Sequence, residues 1–270
     1  MKVAFISKYP PIEGGVAAQT YWLAKGLGEK GVKVDVITNC WEVEEKYRIE
    51  MNASDLREFM PKNVCVHSTD PFEKLAYIPY TNPDIAKLAS LAIEVIKKNN
   101  SDLIDSWYLM PYGIAAFIAH TITNKPFILR HAGSDITRLL ESPSLNRLFR
   151  EVILRAKYIY TIPTVIEKFL KMGVKRERLI LPVGSSVNLD IFNPKVEPFN
   201  LFPYIERSKS IPIITYLGKF SKYRGIFELI DTITELKDRE FKLLLITKDD
   251  KDGSIVSYLK KKRIMDKVSI

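Results

Sequence analysis

Four groups of residues have the types and the spacing to do chemistry. The first is the pair Gly14-Gly15, which closes a Pro/Gly loop, Tyr9-Pro10-Pro11-Ile12-Glu13-Gly14-Gly15. Adjacent glycines at the mouth of a helix let backbone amides approach an anionic or sugar ligand, and the helix dipole adds partial positive charge there. The same pair also serves as a plain turn. No Gly-x-Gly-x-x-Gly follows, so this is not a dinucleotide fingerprint. The second group is His131-Ala132-Gly133-Ser134-Asp135, directly after the apolar run Phe127-Ile128-Leu129. His131, one of three histidines, stands where α/β folds open their sites, and lines a ligand or has a structural part. Asp135 can bond a sugar, hold the imidazole or cap the following helix, Ile136–Leu140.

The third group is Lys219 and Arg224, flanking a turn bounded by Gly218 and Gly225. Two cations in that setting neutralise a departing diphosphate, or are simply surface charges. The fourth is Trp107 and Tyr112, which can stack on a sugar or pack in the core. Metal chemistry finds no comparable pattern: no Asp-x-Asp pair occupies a candidate site, and His and Cys are not clustered. Cys40 and Cys65 lack the close spacing or His partners of a metal site and read as free thiols.

These groups need a scaffold that brings strand ends together, and the chain's pattern supplies one. Val3–Ile6 reads as a buried strand, Val16, Thr20, Leu23, Ala24 and Leu27 recur at helical spacing, and Val32–Thr38 is a second strand. That is one βαβ unit in forty residues. Residues 41–82 are polar and irregular, apart from a short strand at Val64-Cys65-Val66. A helix over 85–98, strands at 103–104 and 127–129, a helix over 145–157 and closing strands near 158–160 and 179–181 continue the alternation of parallel α/β architecture. Asn193–Pro203 is rich in proline and aromatics and lacks a period. After it strand–loop–helix–strand restarts at Ile213. The expected organisation is a complete N-terminal Rossmann-like domain over 1–195 with its sheet covered on both faces, a linker over 196–210 and a partial Rossmann-like domain over 211–270.

Composition fits this reading. The chain has 270 residues, 46% hydrophobic and 27% charged, which excludes disorder and a disulfide-stapled miniprotein. No run approaches the roughly 18 apolar residues of a spanning helix. The opening apolar run is too short for a secretory signal, so a cytoplasmic location is expected. A net charge of +9 suits polyanions: nucleic acid, an anionic membrane face or a phosphorylated substrate. No zinc-finger spacing or aromatic RNA-binding motif appears, so nucleic acid is not an expected partner. Lys260-Lys261-Lys262-Arg263 reads as a solvated helix face. Arg147, Arg150 and Arg155, beside Leu148, Phe149 and Val152, suit either ordinary packing or a peripheral contact with the inner membrane face.

Five ordered segments carry a family resemblance. Gly14-Gly15 with Leu23-Ala24, Leu27, Gly31 and the Val-Asp-Val-Ile-Thr run resembles the start of family-four (group 1) glycosyltransferases of the GT-B fold. Asp102–Trp107 with Pro111-Tyr112-Gly113 resembles their strand-plus-helix signature, and Phe127–Asp135 their strand ending in His-Gly-x-Asp. Pro182-Val183-Gly184 with Asn188–Pro194 resembles the approach to their domain linker, and Tyr216–Lys219 with Arg224-Gly225 their diphosphate loop. Lys219 and Arg224 exchange the family's usual arginine and lysine at the same spacing, and the paired-glutamate motif lies beyond Ile270.

The resemblance implies transfer of a sugar from a nucleotide-sugar donor to a glycan or lipid-linked acceptor, with retention, no bound metal and no cofactor. His131 and Asp135 are then the catalytic candidates. Gly14, Gly15, Gly218, Lys219 and Arg224 hold the donor, and Trp107 and Tyr112 the acceptor. Gly14, Gly15, His131, Lys219 and Arg224 are expected to line one interdomain cleft. The alternatives are a truncated, non-catalytic homologue that binds acceptor or glycan only, and a nucleotide-sugar epimerase.

Overall fold

The computed structural model describes residues 1–49, 51, 54–55, 59–70, 83–182, 188–201, 211–218, 220, 224–247 and 253–270. The chain divides into two compact units, Met1–Phe192 and Asn193–Ile270.

In the first unit a seven-stranded, fully parallel sheet is built from β1 (Lys2–Ile6), β2 (Lys33–Thr38), β3 (Val64–Ser68), β4 (Leu103–Trp107), β5 (Phe127–Arg130), β6 (Tyr158–Tyr160) and β7 (Leu179–Ile180). The strand order is β3-β2-β1-β4-β5-β6-β7. The chain walks from β1 out to β3, then returns to β4 and walks the other way. Right-handed crossovers therefore put α1 (Gly15–Glu29) on one face. The other face takes α2 (Asp84–Asn99), α3 (Ile114–Thr123), α4 (Ser134–Leu139), α5 (Asn146–Arg155) and α6 (Ile166–Lys171).

Strand alternation shows the same division. Val3, Phe5, Val34, Val36 and Val64 cluster with Tyr9 and Ala24 under α1. Ala4, Ile6, Ile37, Ile104, Phe127, Leu129 and Ile159 face Leu88, Ile96, Phe149 and Phe169 on the opposite side. Each fully buried Phe or Leu of this layer contributes about 1.5–3 kcal/mol. Cover on both faces was expected along the whole sheet. On the α1 side, however, Ile128, Arg130 and Tyr160 are only partly buried and Tyr158 is exposed. The basic helix α5 buries Phe149, Val152 and Ile153 in the core and leaves Arg147, Arg150 and Arg155 exposed, so its apolar stripe is used for packing.

The second unit has a three-stranded parallel sheet, β10-β9-β8, from β8 (Ile213–Leu217), β9 (Lys242–Ile246) and β10 (Val268–Ser269). Helices α7 (Ile226–Thr234) and α8 (Ser254–Lys262) pack on one face, through Ile226, Ile230, Ile233, Leu243, Leu245, Ile255 and Leu259. Leu217 and Ile246 stand on the other face, 79% and 44% exposed. The basic run ends α8, where cations favour the dipole, and Lys262 pairs with Asp231 at 2.5 Å. No helix among the described residues is long and apolar enough to cross a membrane.

Candidate functional site

In the first unit the candidate residues lie at the C-terminal ends of β1, β4 and β5, where this architecture gathers ligands. Gly14 is the N-cap of α1 with φ 120°, a backbone that needs glycine, and both Gly14 and Gly15 are exposed. No side chain caps α1 and its first turn carries no acid, so its leading amides face outward. The helix is tied to the end of β1 by the Thr20 hydroxyl, 2.8 Å from that of Ser7.

His131 is buried, 7% exposed, with its ring against Phe169. Nδ1 accepts the Gly133 N–H at 3.1 Å, so the proton sits on Nε2, which donates to the Thr161 hydroxyl at 2.9 Å. Thr161 in turn donates to the Ile162 carbonyl. Burial lowers the His131 pKa, although the Asp135 charge pulls the other way, and the imidazole is neutral near pH 7. Both ring nitrogens are therefore engaged within the protein, joining the loop after β5 to the end of β6.

Asp135 neither caps its helix nor holds the imidazole. The helix starts at Ser134, two residues earlier than expected, with Gly133 at its N-cap (φ 86°), so Asp135 lies within its first turn. Its Oδ1 accepts the Ala132 N–H and its Oδ2 the Leu109 N–H, each at 3.1 Å. The carboxylate thus staples the loop after β5 to the turn after β4, and no hydrogen bond to the His131 ring is seen among the described residues.

That turn carries the two aromatic candidates. Trp107 ends β4 half-buried, and among the described residues its buried Nε1–H has no hydrogen-bond partner. Tyr112 is 1% exposed and its hydroxyl donates to Asn39 Oδ1 at 2.7 Å. The expected stacking role gives way to packing, because no face of the ring is open. Gly113 explains its own presence: a Cβ there would lie 2.6 Å from the Tyr108 carbonyl oxygen, which accepts the Gly113 N–H.

Two further features at these strand ends were not anticipated. Arg130 forms a fork on Asp105, Nε to Oδ1 at 2.7 Å and Nη2 to Oδ2 at 2.8 Å, with its guanidinium 3.9 Å from the Tyr160 ring centroid. Burial pushes the Asp105 carboxyl up, and the Arg130 charge and hydrogen bonds oppose it. Alternation carried the signal: Asp105 and Arg130 occupy α1-side positions of neighbouring strands. Beyond β1–β3 a largely apolar cavity of about 310 Å³ is lined by Tyr9, Pro11, Tyr21, Trp41, Phe59 and Ser68 among others. Its floor comes partly from the irregular segment that periodicity could not read. The expectation that Cys65 has no histidine neighbour is also corrected: His67, two residues on, shares its face of β3.

In the second unit Gly218 follows β8 and donates its N–H to the Ile246 carbonyl. Arg224 is exposed, immediately before Gly225, the N-cap of α7 with φ 73°, and no side chain caps that helix. Lys219 lies outside the described residues.

No established family profile matches this chain. It is 24% identical over 268 residues to the N-acetyl-alpha-D-glucosaminyl L-malate synthase of Bacillus anthracis, covering 97% of this chain and 66% of that protein. A Bacillus subtilis protein named as a glycosyltransferase of teichuronic acid biosynthesis, TuaC, is 24% identical over 159 residues, 56% of this chain and 40% of that one. Anabaena HepE, solved with UDP-glucose, superposes with a TM-score of 0.67 at 13% identity, over 99% of this chain and 68% of that one. UDP-GlcNAc 2-epimerase from Neisseria meningitidis superposes at 0.62 with 14% identity, over 99% and 71%. The fold is the Rossmann-like GT-B type expected from the sequence, and the relatives support the resemblance to group 1 glycosyltransferases. The chain spans about two thirds and two fifths of the lengths of the two curated relatives.

Proposed function

We propose that this chain serves transfer of a sugar from a nucleoside-diphosphate sugar to a glycan or lipid-linked acceptor, with retention of configuration and without a metal at the reacting centre. The observation that carries the reading is repeated in each unit. A strand runs into a glycine-bounded loop and then into a helix whose N-terminus no side chain caps: β1 to Gly14-Gly15 to α1, and β8 through Arg224-Gly225 to α7. Such termini hold phosphate or sugar oxygens, and Arg224 and Lys219 add the charge a departing diphosphate needs. The relatives favour transfer over epimerisation, since the curated ones are named for making glycosyl products. The apolar cavity beside the Gly14-Gly15 loop suits an acceptor with an apolar portion.

A second reading, binding without turnover, is favoured by one observation: both His131 nitrogens and both Asp135 oxygens are already engaged. One experiment addresses both readings. Thermal shifts with a panel of UDP-, GDP- and ADP-sugars identify the donor, since a ligand at 100 times its Kd adds about 2.7 kcal/mol. The preferred donor is then offered with acceptors while nucleoside diphosphate release is followed. Release that depends on acceptor supports transfer; no release, with stabilisation by acceptor or glycan, supports the second reading; no stabilisation by any donor overturns transfer, and none by donor or acceptor overturns both.

A further inference from the structure

We propose that Asp35, Cys65 and His67 form a binding site for one borderline-soft divalent cation of the Zn²⁺ class, separate from the proposed sugar chemistry. Cys65 and His67 are two residues apart on β3 and so share a face, and Asp35 is the register partner of Cys65 on β2. Val34, Val36, Val64 and Val66 turn under α1, which sends the three chemical side chains to the α2 face. There α2 stops at Asn99. In place of the apolar residues that cover this face elsewhere, one carboxylate, one thiol and one imidazole bring a ligand atom each to within 4.8 Å of the others.

The shell around them is that of a prepared ligand set. Asp35 is 7% exposed, and its Oδ1 accepts from Asn99 Nδ2 at 2.8 Å and lies 2.9 Å from His67 Nε2. An amide that donates to a carboxylate in this way fixes its orientation toward a metal. Tetrahedral zinc, with bonds of about 2.0–2.3 Å, sets its ligand atoms roughly 3.3–3.6 Å apart, so rotamer changes at three side chains complete the geometry. Cys65 is exposed and opens onto a cavity of about 390 Å³ that also meets Asp35 and Asn99, with room for water as the fourth ligand. On binding, the Cys65 thiol releases its proton to solvent, and thiolate and carboxylate together offset the dication. Lys2 and Lys33 on the cavity rim then face a neutral centre rather than a bare cation. Sulfur, nitrogen and oxygen donors together favour Zn²⁺ or Co²⁺ over Mg²⁺ and Ca²⁺, which take oxygen alone. The bound ion would clip the edge strand β3 to β2.

The test is a titration of the reduced, full 270-residue chain with CoCl₂, followed by its thiolate-to-cobalt charge-transfer band, then by displacement with ZnCl₂. One equivalent should saturate the band, and zinc should bleach it. Cys65→Ser, at an exposed position that tolerates the change, should abolish it, and Cys40→Ser should leave it intact. Asn99→Ala should weaken binding roughly 10- to 100-fold while keeping the band shape. Absence of a band at stoichiometric cobalt, or a band that survives Cys65→Ser, overturns the proposal.

Discussion

Replacing Asp105 with alanine leaves the Arg130 guanidinium, whose side chain is 14% exposed, without its anion. Both fork contacts, at 2.7 and 2.8 Å, disappear. Removing one partner of a buried pair costs about 3–5 kcal/mol. The Tyr160 ring, 3.9 Å from the guanidinium, keeps about 0.5–2 kcal/mol of cation–π attraction, so the lower half of that range is expected. Against a domain stability of about 5–15 kcal/mol the loss is a large fraction. The pairwise removal, Asp105→Leu with Arg130→Met, strips both charges and should cost less than the single change. All three tryptophans, Trp22, Trp41 and Trp107, lie in the first unit, so fluorescence-monitored urea unfolding reports on it directly. With m of about 1–3 kcal/mol/M, the single variant's midpoint should fall by roughly 1 M or more. A double variant as damaged as the single one, or a single variant within about 0.5 kcal/mol of the parent, would refute the reasoning.

Gly113→Ala drives a Cβ to 2.6 Å from the Tyr108 carbonyl oxygen and should cost about 1–3 kcal/mol in the same assay. Gly15→Ala meets nothing within 4 Å, so stability should stay within about 0.5 kcal/mol while nucleotide-sugar binding weakens. Equal binding by that variant in calorimetry would detach the α1 terminus from the site. His131, its pKa lowered by burial, is neutral when folded. The unfolded chain takes up the proton first as pH falls through about 6.5, so stability declines below that pH toward the folded value. His131→Gln should flatten this slope between about pH 7 and 5, and parallel slopes would contradict the assignment. Arg224→Ala, at an exposed position, should leave unfolding unchanged and weaken donor binding by about one to two decades, matching a charged hydrogen bond of about 1.5–3 kcal/mol.

Alternation and periodicity made the scaffold readable. Val3–Ile6 is a continuous apolar run because a parallel sheet is covered on both faces there, Val34, Val36 and Ile37 are buried around Asp35 on the next strand, and Leu88, Ala92 and Ile96 mark the buried side of α2. The same logic placed His131 at a strand end. It could not show what holds His131, because Thr161 is 30 residues away and Gly133 acts through its backbone. In sequence Asp135 suits a sugar contact, an imidazole contact or a local cap, whereas its Oδ2 partner, the Leu109 amide, stands 26 residues upstream. Asp35, Cys65 and His67 were invisible for a related reason: they meet across a register that only the pairing of β2 with β3 defines. The strand β4 was longer than its apolar pair Ile104 and Leu103 suggested, since Asp105 is made tolerable in a sheet by an arginine on the next strand.

Tyr108 occupies φ 66°, ψ 152°, a backbone that a residue with a Cβ adopts only at a cost of about 1–3 kcal/mol. What keeps it there is next door. Its own N–H donates to the Arg130 carbonyl, its carbonyl accepts from Gly113, and the following amide, at Leu109, is gripped by Asp135. The turn behaves as a spring set by a catch, and the catch is a single carboxylate. An asparagine at 135, nearly the same in size, would do more than remove a negative charge: with its hold on Leu109 weakened, the turn that starts at Trp107 would drift toward ordinary extended backbone. Any group that competes for the Asp135 oxygens acts on the same catch, so at this position a change in charge is also a change in shape.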